Sequence, residues 1–347
     1  MKTVYVGMSG GVDSSLTAAL LKEQGYHVVG VYMKNWTQDL PGMKCPWADD
    51  LADAKRVAVQ LGIDFKVFDF QAEYKQKVVD YMIEEYRQGR TPNPDIMCNQ
   101  EVKFKLFLET ALQDGADMIA TGHYARVQNG QLLQAADANK DQTYFLYRVT
   151  KQALEKTLFP LGDYTKDVVR SMAAERGLVT AGKKDSQGIC FVGQIGIREF
   201  LSEYVEQQAG PIIDLNSGVQ LGQHDGAIFY TIGQRHGLDV GGGLPYYVVG
   251  KNMDSNEVFV TTDLNNEALW REHVRITNVH WIDETPTPGL YHARVRHRAA
   301  LTTVQLTEIS NEATLQFEHP ERAIAAGQSI VLYDGDRCIG GGIVALA

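Results

Sequence analysis

The sequence predicts a doubly wound parallel α/β sheet in its first part, followed by a small β-containing central domain and a C-terminal β-barrel. Residues 4–8 and 28–33 are short apolar, β-branched runs, and a helical stretch that stops at Gly25 lies between them. Later runs continue this alternation, which favours a parallel sheet with its ligands beyond the carboxyl ends of the strands. From about Pro211 onward, short runs between turn residues are typical of β-structure.

Local periodicity predicts the remaining elements of the first part. A second helix ends at Gly62, and residues 65–70 then have the pattern of a third strand. A further helix stops near Gly115, ahead of a fourth strand at residues 117–121. The apolar positions of these two helices recur at helical spacing: Leu51, Ala54, Ala58 and Leu61 in one, and Phe104, Leu108, Ala111 and Leu112 in the other.

The second half of the chain has the pattern of antiparallel β-structure. Turn residues separate runs 246–250 and 257–261, and the same pattern separates runs 329–333 and 337–344, so each pair predicts a hairpin. Residues 291–296 alternate like a half-exposed strand. The pattern thus changes from alternating strands and helices to β-structure. Together with the hairpins, this change predicts three domains, at residues 1–201, 202–271 and 272–347.

Composition narrows the class of protein. With 347 residues, 44% of them apolar and 22% charged, the chain has the balance of a soluble globular protein of about two to three domains. It shows no signal-peptide pattern and no apolar run of about 18 residues, so we expect a cytoplasmic protein without a membrane span. None of the four cysteines forms a C-x-x-C pair, and the sequence predicts no metal site.

The charge balance bears on nucleic-acid binding. A net charge of −10 is unlike a generic nucleic-acid binder, because neutralisation of phosphates supplies most non-specific affinity. Binding of RNA therefore requires basic residues that are concentrated locally. The run R-V-R-H-R at residues 294–298 is one such concentration, although a solvated strand face is the plainer interpretation.

The sharpest motif is S-G-G-V-D-S-S at residues 9–15, between the first strand and the first helix. Glycines let the backbone approach a phosphate, and the free amides at a helix N-terminus attract anions. No lysine follows the glycines, so the loop differs from that of kinases and GTPases. We expect a nucleotide to contact Gly7, Met8, Ser9, Gly10, Gly11, Val12, Asp13 and Ser14, with Met33 and Gly122 at the ends of two strands lining an adenosine pocket.

A second candidate site is T-P-N-P-D-I-M-C-N at residues 91–99. Its two prolines stiffen the approach to Asp95 and Cys98. A helix that begins near Asn99 would lower the pKa of the Cys98 thiol, and Asp95 would position or exchange a proton. Cys190, in S-Q-G-I-C-F-V-G, is a second candidate thiol that only folding could bring to Cys98. A buried structural cysteine is the alternative in each case.

The phosphate loop resembles that of the PP-loop ATP pyrophosphatases, which have an adenine nucleotide hydrolase-like fold. With N-P-D-I-M-C-N, A-T-G-H-Y-A-R, K-D-Q-T-Y-F-L, K-K-D-S-Q-G-I-C-F-V-G, Y-T-I-G-Q-R-H-G-L and G-Q-S-I-V-L-Y-D-G-D-R-C-I-G-G-G, it closely resembles the bacterial tRNA-specific 2-thiouridylase family over nearly the whole chain. Each later string alone is weak, but their order is specific.

This resemblance implies a tRNA-uridine 2-sulfurtransferase that uses ATP and Mg²⁺. ATP would adenylate the C2 oxygen of the wobble uridine in lysine, glutamate and glutamine tRNAs. Cys190 would receive sulfur as a persulfide from a donor protein, and the sulfur would attack C2 directly or as hydrosulfide. Cys98 would resolve the persulfide and leave a Cys98–Cys190 disulfide, with Asp95 as acid or base.

The resemblance also implies the contacts with tRNA. Asn93, Pro94 and Asp95 would contact the extruded base, since a base in a single-stranded loop is easily extruded. Further contacts would come from His123, Lys140, Asp141, Gln142, Arg296, His297 and Gln328. The family usually has tyrosine where this chain has His297, so the contact made there is open.

Two other functions compete with this one. Another PP-loop enzyme that adenylates a small molecule would explain the loop, but it would leave Cys98 and Cys190 without a role. A noncatalytic tRNA-binding or sulfur-relay adaptor would explain the basic run, but it has no need of a phosphate loop.

Overall fold

The computed structural model describes residues 1–39, 45–184, 196–241 and 243–345. The first part contains a five-stranded parallel sheet in the order β3-β2-β1-β4-β7. The prediction of a doubly wound sheet is confirmed, and the four predicted strands lie within two residues of the observed ones. The strands of the first part are β1 (Thr3–Gly7), β2 (His27–Lys34), β3 (Asp64–Asp69), β4 (Met118–Ala120), β5 (Arg126–Gln128), β6 (Gln131–Leu133) and β7 (Thr157–Leu158).

Helices cover both faces of this sheet. Along β1, Val4 and Val6 pack into one apolar cluster and Tyr5 into another, as the alternation of a strand requires. The α-helices are α1 (Val12–Glu23), α2 (Trp47–Leu61), α3 (Gln71–Tyr74), α4 (Asp80–Arg87), α5 (Pro94–Met97), α6 (Phe107–Gln113), α7 (Thr143–Leu146), α8 (Lys151–Glu155), α9 (Lys166–Glu175) and α10 (Ile197–Ser202), and π-helical segments at Lys75–Val79 and Cys98–Leu106 join α3 to α4 and α5 to α6.

The central part is a four-stranded sheet in the order β10-β11-β8-β9, built from β8 (Gly210–Asp214), β9 (Gln220–His224), β10 (Tyr247–Asn252) and β11 (Glu257–Thr261). The predicted hairpin is the antiparallel pair β10–β11, and β11 then runs parallel to β8. Two short 3₁₀ turns, Ala227–Phe229 and Glu267–Leu269, flank this pair in the sequence.

The C-terminal part is a closed six-stranded barrel. The strand order is β12-β15-β14-β13-β16-β17, and β12 also pairs with β17, which closes the barrel. Ile276, Leu315 and Ile330 are completely buried in its interior. The predicted barrel and its last hairpin are confirmed, with strands β12 (Trp270–Trp281), β13 (Gly289–Arg294), β14 (Thr302–Thr307), β15 (Ala313–Arg322), β16 (Ser329–Asp334) and β17 (Arg337–Val344).

The first part also contributes a hairpin to the barrel sheet. Strands β5 and β6 form this hairpin, and β6 pairs with β17, with Leu132 opposite Cys338. Arg126 of β5 reinforces the pairing through an ion pair of 3.0 Å with Asp336. This hairpin is not predictable from the sequence, because strands of three residues carry almost no periodic signal.

A buried ion pair joins the same two parts of the molecule. Asp141 accepts hydrogen bonds from Arg294 Nη1 at 2.7 Å, from Thr143 Oγ1 at 2.7 Å and from the Ala135 amide at 3.0 Å. The Asp141 and Arg294 side chains are only 1% and 9% exposed. Arg294 therefore lies on neither a basic surface nor a solvated strand face, because its side chain turns inward toward Asp141. In the described ranges, no helix is both long and apolar enough to cross a bilayer.

Candidate functional site

The phosphate loop has the geometry that anion binding requires. Helix α1 begins at Val12, and Gly11 precedes it with φ −94° and no side-chain cap, so the first-turn amides have no capping acceptor. Gly10 has φ +74°, a left-handed conformation that favours glycine. The amides and the positive end of the helix dipole therefore face the same space, and they fit a phosphate group.

Gly7, Met33 and Gly122 lie near the ends of three neighbouring strands on the side of the sheet that carries this loop. A Cβ added to Gly122, after β4, would lie 2.8 Å from the Ser14 amide nitrogen, so only a glycine permits that approach. At the end of β1, a Cβ added to Gly7 would lie 3.0 Å from Cε of Met33, which belongs to β2. Met33 and Gly122 thus lie on opposite sides of the end of β1, at the carboxyl edge of the sheet.

The polar side chains of the loop make internal contacts. Asp13 is paired with Lys166, whose Nζ lies 2.8 Å from both carboxylate oxygens, and it accepts a hydrogen bond of 2.9 Å from the Tyr124 hydroxyl. Asp13 does not cap the helix, because the N-cap is Gly11. Ser15 is fully buried and donates to the Gly11 carbonyl at 2.8 Å, so its hydroxyl does not face the phosphate space.

The segment that carries Cys98 begins with a capped helix. Asn93 Oδ1 accepts hydrogen bonds from the amides of Asp95 at 3.0 Å and Ile96 at 3.3 Å, and Pro94 occupies the first turn of α5. The helix therefore begins at Pro94 and not near Asn99. Cys98 lies one turn inside it, and its side chain is completely buried.

Burial raises the pKa of the Cys98 thiol, and the charge of Asp95 raises it further, whereas Lys103 and a hydrogen bond with Tyr74 act in the opposite direction. The expectation of a pKa lowered by a helix N-terminus is therefore wrong. Loss of hydration disfavours the thiolate more than the nearby cation favours it. The resting side chain is a protonated thiol that requires a base.

Asp95 lies where it could accept a proton from the Cys98 thiol. Its Oδ1 is buried and has no hydrogen-bond partner in the described part of the chain. A buried acceptor without a donor is costly, and such atoms are common where a substrate or a proton completes the site. Asp95 lies one helical turn before Cys98, which is consistent with its predicted role in proton exchange.

Lys103 is a residue of this site that the sequence analysis missed. Its charge lowers the pKa of both the Cys98 thiol and the His123 imidazole. Lys103 lies five residues after Cys98 within the π-helical segment, where hydrogen bonds join residues i and i+5 and bring them to one side. An ideal α-helix would separate these two positions, so the spacing in the sequence hides their relation.

Replacing Lys103 with glutamine is expected to raise the pKa of Cys98, because a cation that favours its thiolate is removed. The ¹³Cβ chemical shift of labelled Cys98, followed by NMR across a pH series, should then reach its midpoint at a higher pH. Lys105→Gln is the matched control, since Lys105 is exposed on the same segment and pairs with Glu101 at 3.2 Å. Equal profiles for both variants would contradict this role of Lys103.

Several predicted tRNA contacts are buried. His123 is 8% exposed, bonds Thr121 Oγ1 at 2.8 Å and packs against the Phe104 and Phe159 rings. Its pKa is far below the ordinary value because of burial and the Lys103 charge, so the ring is neutral. The Asp141 carboxylate is also buried, because Arg294 and Thr143 enclose it, and its contact with tRNA stays a prediction.

Other predicted contacts remain accessible. Arg296 is exposed, and His297, Lys140, Gln142 and Gln328 are partly exposed. His297 lies against Phe145, with ring centroids 4.5 Å apart, and burial lowers its pKa. Phe145 also connects to the thiol segment, because its carbonyl accepts a hydrogen bond of 3.1 Å from Asn99 Nδ2. This ring pair was missed, since its partners are far apart in the sequence.

Cys190 lies outside the described residues, so its distance from Cys98 stays a prediction. The chain that leads to it is described as far as residue 184 and is anchored beside the phosphate loop. Lys183 Nζ lies 2.8 Å from Asp50 and 2.7 Å from Asp53 of α2, and Arg170 Nη1 donates to the Lys183 carbonyl at 3.1 Å. Asp50 itself packs on Gly10 of the loop.

Three family models match the chain in order. A tRNA methyl transferase HUP domain model matches residues 2–194, a tRNA methyl transferase PRC-barrel domain model matches residues 198–262, and an aminomethyltransferase beta-barrel domain model matches residues 271–344. The exact domain limits predicted from the sequence, at residues 201/202 and 271/272, stay predictions.

Two relatives and one solved structure complete the comparison. The chain is 48% identical to tRNA-specific 2-thiouridylase MnmA of Staphylococcus carnosus (strain TM300) and 46% identical to that of Enterococcus faecalis (strain ATCC 700802 / V583), over 98% of this chain and 94% of each relative. The U34-tRNA thiolase NcsA from Methanococcus maripaludis is 19% identical, with a TM-score of 0.35 over 51% of this chain and 57% of that one.

The parallel sheet, the uncapped glycine loop at its carboxyl edge and the appended barrel define the class: a PP-loop α/β protein with a C-terminal β-barrel. The sequence identity of nearly one half with the two relatives extends along almost the whole length of each chain, and it narrows this class to one family. The chain belongs to the tRNA-specific 2-thiouridylase family.

Proposed function

We propose that this protein uses ATP to replace the C2 oxygen of the wobble uridine in lysine, glutamate and glutamine tRNAs with sulfur. The observation that carries the proposal is a buried thiol between an acid and a cation, on a helical run that leads to the phosphate loop. That run continues from Cys98 to Phe107, whose ring would lie 3.5 Å from a Cβ placed on Gly7. The family relationship supports the identity of the substrate.

ATP with Mg²⁺ would supply the adenylate that turns the uridine oxygen into a leaving group. The amides at the start of α1 would hold its phosphates, and Gly7, Met33 and Gly122 would shape the adenosine side of the site. Lys166 would hold Asp13 in place beside the loop, since both carboxylate oxygens accept from its ammonium. Loop and sheet edge together would orient the nucleotide toward the base.

The chain's own thiols would then transfer sulfur. Cys190 would carry a persulfide, and its outer sulfur would bond to C2 as AMP departs. Asp95 would take the Cys98 proton, and the Cys98 thiolate would attack Cys190 Sγ. This attack forms a Cys98–Cys190 disulfide, breaks the persulfide S–S bond and leaves the electron pair on the sulfur bound to C2. An external thiol reductant would restore both cysteines; release of hydrosulfide before attack on C2 is the alternative order.

Recognition of tRNA would combine positive charge and ring stacking in a protein of net charge −10. Arg296 and Arg298 are both exposed beside the Phe145–His297 ring pair. Bases of single-stranded loops stack on such rings, and arginines contact the phosphates between them. Asn93, Gln142 and Gln328 would add polar contacts. The partners are then tRNA and a persulfide-donating protein, and we place the reaction in the cytoplasm, where tRNA and ATP are available.

One assay tests this function and its rivals. The protein is incubated with ATP, Mg²⁺, a persulfide source and lysine tRNA, and thiolated tRNA is detected by its retardation in a mercury-containing gel. We expect Cys98→Ser and Cys190→Ser each to reduce thiolation by about 100-fold or more, as removal of a nucleophile does. Cys338→Ala is the control, because Cys338 is buried in the barrel sheet opposite Leu132.

Other outcomes would favour other functions. Full activity of both serine variants would exclude the two-thiol mechanism. Cleavage of ATP with a small molecule, and never with tRNA, would favour a PP-loop ligase. Binding of tRNA without any cleavage of ATP would favour a noncatalytic adaptor.

A further inference from the structure

A cavity of about 580 Å³ lies where the three parts of the molecule meet. Its walls include Thr91 from the first part, Ile232 and Lys251 from the central part, and Val274 with Ala326 from the barrel. No residue of the phosphate loop and none of residues 93–98 lines it. It is therefore a separate space, and the proposed function assigns nothing to it.

The inner wall of the cavity holds a cation that pairs with no carboxylate among the described residues. Lys251 Nζ donates a hydrogen bond of 2.8 Å to the Tyr230 carbonyl, and its stem lies against Gly89. In the described part of the chain, no carboxylate oxygen lies within 4.0 Å of this nitrogen. Burial lowers the pKa of Lys251 to about 8, with no acidic group acting in the opposite direction. A desolvated ammonium of this kind is costly unless an anion accompanies it.

The mouth of the cavity is also basic. Arg271, His273 and Arg275 of β12 all line it, at alternate positions of the strand. Glu272 lies 3.7 Å from His273, and Glu312 lies 3.3 Å from Arg275, but neither glutamate belongs to the lining. Among the lining residues there is no carboxylate side chain to compensate the four basic groups.

We infer that this cavity binds a phosphate group, with Lys251 as its inner contact and Arg271 at its mouth. Phosphate supplies the negative charge and the several acceptors that suit a buried ammonium, whose one hydrogen bond among the described residues goes to the Tyr230 carbonyl. The same chemistry is available from the backbone of an RNA and from a free phosphate compound. The inference stands independently of the proposed thiolation.

A phosphate in the cavity would affect the position of the segment that carries Cys98. Thr91, in its wall, donates its amide to the Ala326 carbonyl at 2.8 Å, and its hydroxyl lies 3.1 Å from that of Thr231. The segment with Asn93, Asp95 and Cys98 begins directly after it. A phosphate in the cavity therefore holds the central part, the barrel and the start of that segment together.

The test uses the full-length protein, labelled with ¹³C at the methionine methyl groups, and inorganic phosphate as the probe. Met253 lines the cavity, whereas Met33 lies beside the phosphate loop, so the two methyl signals separate the two sites. We expect the Met253 signal to shift saturably with phosphate in the wild type and in Lys251→Arg. Lys251→Gln should weaken that shift at least tenfold and leave the Met33 response unchanged.

A second arm identifies the source of the phosphate. If it is RNA backbone, Lys251→Gln should weaken tRNA binding and reduce the slope of log K against log salt by about 0.9, the value for one phosphate contact. If it is a free phosphate compound, tRNA binding should be unchanged while the Met253 response to phosphate is lost. A wild-type Met253 signal that responds to neither phosphate nor tRNA would overturn the inference, as would an unchanged response in Lys251→Gln.

Discussion

Replacement of Arg294 with methionine is expected to lower the free energy of unfolding by about 3–5 kcal/mol, the range for breaking a buried ion pair on one side. The Asp141 carboxylate would keep its hydrogen bonds from Thr143 and Ala135, but the ion pair with Arg294 would be gone. With 1% of its side chain exposed, Asp141 has no access to compensating water. Denaturant unfolding followed by tryptophan fluorescence would measure the loss, since Trp281 ends β12 of the barrel.

Two further variants separate charge burial from simple loss of arginine. Arg296→Met removes an exposed arginine two residues away and should change stability by no more than about 0.5 kcal/mol. The double variant Asp141→Leu with Arg294→Met removes both charges and should recover most of the loss, because the desolvation cost disappears with the pair. If Arg294→Met is as stable as the wild type, the ion pair does not hold the barrel to the α/β part.

Substitution of Gly10 by alanine is expected to reduce adenylation by about 100-fold, the effect of misplacing reacting groups by about 1 Å. Gly10 has φ +74°, and a Cβ there would collide with the carbonyl oxygen of Asp50 and lie 3.0 Å from its carbonyl carbon. These are backbone atoms, so α2 or the loop itself has to move. Release of AMP from ATP in the presence of tRNA would measure the effect.

Gly25→Ala is the matched control for the backbone strain. Gly25 follows the same helix α1 with φ +85°, but a Cβ there would meet nothing within 4 Å. Both alanines carry the left-handed penalty of about 1–2 kcal/mol, and only the one at Gly10 disturbs the phosphate loop. Equal adenylation by the two variants would show that contact with Asp50 does not shape the site.

The elements that the sequence predicted correctly are those with a local signal. Strands β1 to β4 and the hairpins β10–β11 and β16–β17 have both periodicity and turn residues, and all are found. The β5–β6 hairpin lacks such a signal, because its short strands are stabilised by pairing with β17. The hairpin depends on a partner strand about two hundred residues away in the chain, so no short stretch of sequence predicts it.

The candidate site also has one part that local sequence predicts and one part that it does not. The phosphate loop was predictable because its function depends on neighbouring residues: glycines, free amides and a helix start. The thiol site was not, because Asn93 caps the helix five residues before Cys98 and the π-helical segment then turns Lys103 toward it. Small changes in where a helix begins and how it winds decide which charges act on a side chain.

By itself, then, the sequence determined the α/β order, the phosphate loop and the candidate thiol Cys98, since each depends on residues close together in the chain. Only the tertiary structure decided which charged side chains are buried and which of them are paired. Arg294 belongs to a basic run but is buried against Asp141. Lys251 belongs to no notable motif, yet it lines an open cavity and pairs with no carboxylate among the described residues. The physical reason is desolvation: the energy of a charge depends on which distant groups surround it, and only the folded chain brings them together.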